Sequence, residues 1–166
     1  MATPITPAFH PLAYALMLLR SEGLPCVFYG DLYGTQGPHK VPAACDGKLP
    51  MLLFSRKLFA YGKQTDYFDS RTCIGWVRHG TWDRVDGCAV LMSVGSASSS
   101  KMFVGQDKAG QQWTDVLGSC SKSVMIDSGG FGTFECSAKS VSVWIRHDAA
   151  GREHFREVCH ADRFRV

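Results

Sequence analysis

Apolar positions along this chain change their period once. From Leu12 to Leu19 they run without a break: Leu12, Ala13, Tyr14, Ala15, Leu16, Met17, Leu18 and Leu19. A helix that is apolar all round is one that other protein covers on most sides. Pro11 suits its start, where a missing N–H costs nothing, and Gly23 and Pro25 stop it. Cys26-Val27-Phe28-Tyr29 is a short continuous apolar run, the pattern of a strand buried on both faces of a parallel sheet. Glycines at 30, 34, 37 and 47 with Pro38 and Pro42 predict a loop over residues 30–48. Helical spacing returns over Leu49–Tyr61, through Leu49, Leu52, Leu53, Leu58 and Phe59, with Arg56 and Lys57 toward water. Gly62 ends that helix. Helix, strand, long loop and helix form the end of an alternating α/β array. One strand and two helices cannot close a core, so the earlier elements of the array are expected outside this chain.

After Asp66 the period shortens to that of strands. Runs at Cys73–Arg78, Cys88–Ser93, Lys101–Gly105, Gln112–Leu117, Ser123–Asp127, Gly132–Cys136 and Ser140–Arg146 are separated by turn residues such as Asp86-Gly87, Gly118-Ser119 and Gly129-Gly130. Short strands at this spacing predict an antiparallel sandwich over residues 66–147, expected to fold with or without residues 1–65. Residues 148–166 are charged and mixed, and predict a polar tail or a short helix. The organisation expected is therefore a partial barrel end at 1–65, a sandwich at 66–147 and the tail.

Composition narrows the function. The chain has 166 residues, with 45% hydrophobic and 20% charged, a globular balance that excludes a disordered chain. The net charge of +3 is scattered instead of gathered on one face, which argues against a nucleic-acid partner. No apolar run approaches the ~20 residues of a membrane helix, so no membrane partner is expected. Leu12–Leu19 lacks the basic segment that precedes a signal core. The seven cysteines, Cys26, Cys45, Cys73, Cys88, Cys120, Cys136 and Cys159, follow no C-x-x-C metal pattern. Several fall where a buried strand residue belongs and read as small apolar fillers. Reduced thiols in a cytoplasmic setting are the expectation.

Few residues suggest chemistry. Asp31 and Tyr33 follow the apolar run at 26–29. If the array closes as a barrel, both stand at its C-terminal rim, where such barrels place their chemistry. The alternative is an Asp31 that bonds loop N–H groups and a Tyr33 that packs. Asp83 and Asp86 lack the alternate spacing of a calcium loop, and Asp86-Gly87 predicts a hairpin turn. His154, Cys159 and His160 lack a fourth zinc ligand at standard spacing and read as solvated tail. The stretch GSASSSK at 95–101 lacks the second glycine of a phosphate loop and predicts a hairpin loop. Strand alternation sends Trp76, Trp113 and Trp144 to the core. Trp82 lies in a loop and is the candidate for stacking on a sugar ring.

FHPLAYALMLLRSEGLPCVFYGDLYGT resembles the last helix-to-strand passage of the α-amylases of glycoside hydrolase family 13, of the liquefying bacterial and fungal intracellular type. The resemblance continues through RKLFAYGKQTDYFD, IGWVRHGTWDRVDGCAVLMS, MFVG, WTDVLG and GFGTFECSAKSVSVWI, over roughly residues 7–146 in unbroken order. It implies the end of a (β/α)8 barrel, with Val27–Tyr29 its eighth strand and Leu49–Tyr61 its eighth helix, followed by a Greek-key β-sandwich. It also implies retaining cleavage of internal α-1,4-glucosidic bonds, with α-glucan (starch or glycogen) as the partner. In the family an aspartate nucleophile, a glutamate acid/base and a second aspartate do the chemistry from barrel strands four, five and seven, the last within an N-H-D motif. No N-H-D occurs here, so no catalytic residue is carried over. No cofactor is expected either: family calcium is bound largely through parts that have no counterpart here. The two sandwich-loop positions that hold a further calcium in some relatives correspond to Cys73 and Val94, which cannot serve. The expectation is a segment of an endo-α-amylase that is inactive alone, or alternatively a non-catalytic glucan-binding module.

Overall fold

Helices and strands part company where the period changes. The computed structural model describes residues 5–155. Three helices come first: α1 (His10–Leu19), α2 (Tyr29–Tyr33) and α3 (Leu49–Phe59). Eight strands follow: β1 (Gln64–Tyr67), β2 (Cys73–Arg78), β3 (Cys88–Ser93), β4 (Ser98–Phe103), β5 (Gln112–Asp115), β6 (Ser123–Met125), β7 (Phe131–Cys136) and β8 (Ser140–Arg146). They form a six-stranded sheet in the order β1-β2-β3-β8-β5-β6 and a two-stranded sheet of β4 and β7. Every pairing is antiparallel.

The six-stranded sheet is the middle layer, and period-2 alternation sorts its side chains to two faces. Trp76, Cys88, Val90, Met92, Val141, Val143 and Ile145 face one core, which Leu12, Ala15, Leu18, Leu19, Leu49, Leu52 and Phe59 of α1 and α3 complete. Val77, Ala89, Leu91, Trp113 and Trp144 face the other core, with Met102 and Phe134 of the small sheet. All six residues of β3 are therefore buried, because both faces of its sheet are covered. Trp76, Trp113 and Trp144 are buried as alternation predicts. Phe134 packs between Trp113 and Trp144, at ring-centroid distances of 5.9 and 5.7 Å.

Polar bonds tie α1 to the sheet. The helix ends at Leu19 with Arg20 extended, leaving its last carbonyls without helical partners. The Arg56 guanidinium donates to Leu18 O, while Arg78 Nη1 (3.2 Å) and Trp76 Nε1 (3.3 Å) donate to Leu19 O. Arg78 also donates to Gly62 O at 3.1 Å. Gly62 itself lies at φ +76°, and a Cβ there would stand 1.7 Å from Gly80 O, so the crossing of these two loops admits only glycine.

Four sequence expectations need correction. No strand forms at 26–29; residues 24–28 are irregular and Tyr29 opens α2. A strand needs a hydrogen-bonding neighbour, and among the described residues none pairs with this run. Gly34 N bonds Gly30 O at 2.8 Å and Asp31 N bonds Phe28 O at 3.0 Å, satisfying the backbone locally. Residues 95–101 are not a hairpin loop: β4 starts at Ser98 and pairs with β7, so the chain here crosses between sheets. Asp86-Gly87 does not make a tight hairpin, since β2 and β3 are joined by residues 79–87 and Asp86 pairs with Arg146 at 3.3 Å. Finally, the polar tail expected from 148 is packed through 155. Ala149 and Phe155 are buried, Phe155 against Phe59 at 6.2 Å. Cys159 and His160 lie outside the described residues.

Candidate functional site

Asp31 sits in the short helix α2, where its carboxylate accepts the Tyr14 hydroxyl of α1. Burial and this bond push the Tyr14 phenol up to about 12, which keeps it a donor. Burial, and next the Asp31 charge, push the neighbouring Cys45 thiol up to about 12 as well. Asp31 O accepts Ala44 N at 2.7 Å. Asp31 is thus a clasp that holds α1, α2 and the 43–45 loop together. Tyr33 packs on Tyr29 with ring centroids 4.6 Å apart. Asp31 and Tyr33 share the short helix α2, where the sequence predicts loop. Its bond to Tyr14 carries no sequence signal, because the two residues are 17 positions apart.

Trp82 is presented differently. It is 92% exposed, on the β2–β3 connection. Thr81 and Arg84 close a turn around it, with Thr81 N to Arg84 O at 2.8 Å and Arg84 N to Thr81 O at 3.2 Å. The Thr81 hydroxyl donates to Asp83 Oδ1 at 2.7 Å and holds that carboxyl below the usual range. The Arg84 guanidinium lies 4.1 Å from the Tyr61 ring centroid and donates to Lys57 O at 3.0 Å. The turn is therefore braced against the end of α3, and its indole stands in solvent. A braced aromatic platform can stack on a sugar face without ordering a loop first.

Several other carboxylates serve the fold. Asp115 is buried and accepts four backbone N–H groups, from Leu117 (3.0 Å), Ser119 (2.7 Å), Cys120 (3.0 Å) and Val143 (2.8 Å). Burial nonetheless pushes its carboxyl up. Asp86 and Asp148 flank the Arg146 Nε at 3.3 and 3.0 Å. Asp66 pairs with Arg20, Asp127 with Lys101 and Glu135 with Lys122. For calcium, the two positions the resemblance indicates do not fit. Cys73 lies in the core between the sheets, and Val94 has only an apolar side chain. Neither supplies the oxygen that calcium requires. Among the described residues no group of three or more His, Cys, Asp or Glu is placed to hold a metal ion.

Residues 89–145 match the family of the α-amylase C-terminal region. The chain is 47% identical over 138 residues to a glucan 1,4-alpha-maltohexaosidase of Bacillus sp. (strain 707), across 82% of this chain and 26% of that relative. It is 42% identical over 141 residues to an α-amylase of Bacillus licheniformis, across 83% of this chain and 27% of the relative. The chain thus spans about a quarter of the length of the curated relatives it matches. Among solved structures, the γ-CGTase of alkalophilic Bacillus clarkii aligns over 87% of this chain and 24% of its own. The TM-score is 0.57 at 18% identity, a likeness of fold alone. By these matches the chain is similar to the C-terminal part of the family 13 α-amylases, as its motifs indicate.

Proposed function

We propose that this chain supplies the C-terminal region of an endo-acting α-1,4-glucan hydrolase and performs no hydrolysis by itself. The observation that carries this is the work its carboxylates do. Retaining hydrolysis needs two carboxyls about 5 Å apart on either side of the glycosidic bond. Here Asp115 is saturated by backbone donors, Asp31 clasps a tyrosine, and Asp66, Asp86, Asp127, Asp148 and Glu135 are ion-paired. In this reading β1–β8 are the Greek-key sandwich, and α1, the apolar run at 26–29 and α3 correspond to the last helix, strand and helix of a (β/α)8 barrel. Support for the barrel comes from exposure: Phe28 and Tyr29 are 62% and 66% exposed in a run whose composition suits a buried strand. Barrel neighbours would supply the missing backbone partners.

A second role rests on Trp82. Its exposure on a braced turn favours stacking on α-glucan, as in a non-catalytic binding module. Both readings are tested on the full chain with maltohexaose and soluble starch. No reducing sugar above the blank is expected; measurable turnover refutes the first reading. A fluorescence change at millimolar maltohexaose that disappears in Trp82→Ala supports the second, and an unchanged spectrum rejects it.

A further inference from the structure

Three cations without an acidic partner gather at the end of α3, beside the Trp82 turn. Leu53, Arg56, Lys57 and Ala60 fall at helical spacing on one face of α3. With Tyr61 they line a cleft of about 280 Å³. Arg84 borders it from the β2–β3 connection, its guanidinium 4.1 Å from the Tyr61 ring centroid and bonded to Lys57 O at 3.0 Å. Lys57 and Arg84 are exposed. Arg56 gives one of its donors to Leu18 O. Among the described residues none of the three forms an ion pair. Bare carbonyls at a helix C-terminus would oppose an anion. Here Lys57 O is covered by Arg84 and by the Tyr61 hydroxyl at 2.8 Å, and Ser55 O by Ala60 N at 3.1 Å. The single acid of the turn, Asp83, is engaged by the Thr81 hydroxyl. Cleft and indole are neighbours: Gly80 N donates to Tyr61 O at 3.0 Å, and Trp82 stands two residues further on.

We propose that this cleft is an anion site, and that its ligand is a phosphomonoester carried by an α-glucan whose sugar ring lies on Trp82. The inference rests on the Trp82 reading above. An α-glucan is itself uncharged, and its hydroxyls leave three unpaired cations beside the platform without a counter-charge. A phosphomonoester brings a charge of about −1.5 to −2 at pH ~7 and three acceptor oxygens. The two kinds of cation suit it. A guanidinium offers phosphate oxygens a planar fork of donors, and an ammonium adds a mobile point charge. Lys57 Nζ is that mobile charge, on an exposed side chain 5.9 Å from the Phe54 ring centroid. Exposed charges each contribute modestly and are screened by salt. The gain over a neutral glucan is therefore about tenfold in affinity.

The test is calorimetric titration of the full chain at low salt with maltohexaose, maltohexaose bearing one 6-phosphate, glucose 6-phosphate and inorganic phosphate. The phosphorylated hexaose is expected to bind about tenfold more tightly than the neutral one. That advantage should vanish in Lys57→Gln, persist in Lys57→Arg and shrink in ~0.5 M salt. Glucose 6-phosphate should bind more weakly than the phosphorylated hexaose. Equal affinity for the two hexaoses, or an advantage that Lys57→Gln leaves intact, overturns the proposal. Inorganic phosphate or glucose 6-phosphate binding as tightly as the phosphorylated hexaose overturns the glucan as the source of the anion. Failure of the Trp82 reading looks different. The phosphorylated hexaose then binds Trp82→Ala as well as the unaltered chain while Lys57→Gln still weakens it, which removes the stacked ring and keeps the anion site. No heat from either hexaose rejects both.

Discussion

His79 has both ring nitrogens engaged. Its Nδ1–H donates to Val104 O at 3.3 Å, and its Nε2 accepts the Thr65 hydroxyl at 2.8 Å. A charged ring would reverse the Thr65 bond, with Nε2–H donating to the hydroxyl oxygen. Burial lowers the His79 pKa; the Val104 bond works against that, and the Lys108 and Lys63 charges add to it. A base with a depressed folded pKa contributes stability that is complete above its unfolded value and is lost as pH falls through the folded one. Thermal stability should therefore decline as pH drops from ~6.5, the unperturbed value, toward ~5. His79→Gln should flatten this slope in melts across that range; an unchanged slope would assign it to other groups. At this scale the sequence was informative for tryptophans and silent for His79. Alternation sorts Trp76, Trp113 and Trp144 from Trp82 because burial follows strand phase. The partners of His79 come from β1 and the residue after β4, and no local pattern links them.

The helices and the large sheet share one core. Trp76, Val90, Val143 and Ile145 on one sheet face are buried only because α1 and α3 lie over them. Sequence reasoning expects residues 66–147 to fold alone; the packing argues otherwise. Each large apolar side chain uncovered forfeits about 1.5–3 kcal/mol, and a domain has only about 5–15 kcal/mol in total. A chain starting at residue 62 should therefore lack a cooperative urea transition, or show one at much lower midpoint than the full chain. A transition at the full chain's midpoint would restore the autonomous sandwich. Strand positions in the sandwich were largely legible, since Cys73–Arg78, Cys88–Ser93 and Ser140–Arg146 coincide with β2, β3 and β8. The start of β4 was hidden because serine and glycine signal turns as readily as they line an exposed strand.

Across the whole molecule the exposed apolar surface is uneven. Among the described residues, Ile5, Phe9, Leu16, Leu24, Phe28, Tyr29 and Val41 are all at least 37% exposed, and Leu24 is 99% exposed. Seven exposed apolar side chains within residues 5–41 favour association. The isolated chain should bind a hydrophobic dye and self-associate at micromolar concentration, and Leu24→Ser with Phe28→Ser should reduce both. A monomer by sedimentation that binds no dye would refute this. Residue order alone specified the two periods, the tryptophan burial, helical runs within 12–19 and 49–61, and the similarity to α-amylase C-terminal regions, because each depends on local spacing or on long collinear motifs. The state of residues 26–29, the crossing of β4 to a second sheet and the clasp of Asp31 on Tyr14 were settled by three-dimensional packing. A strand and a side-chain clasp each require a partner distant in the chain, and spacing along one segment carries no information about which partner arrives.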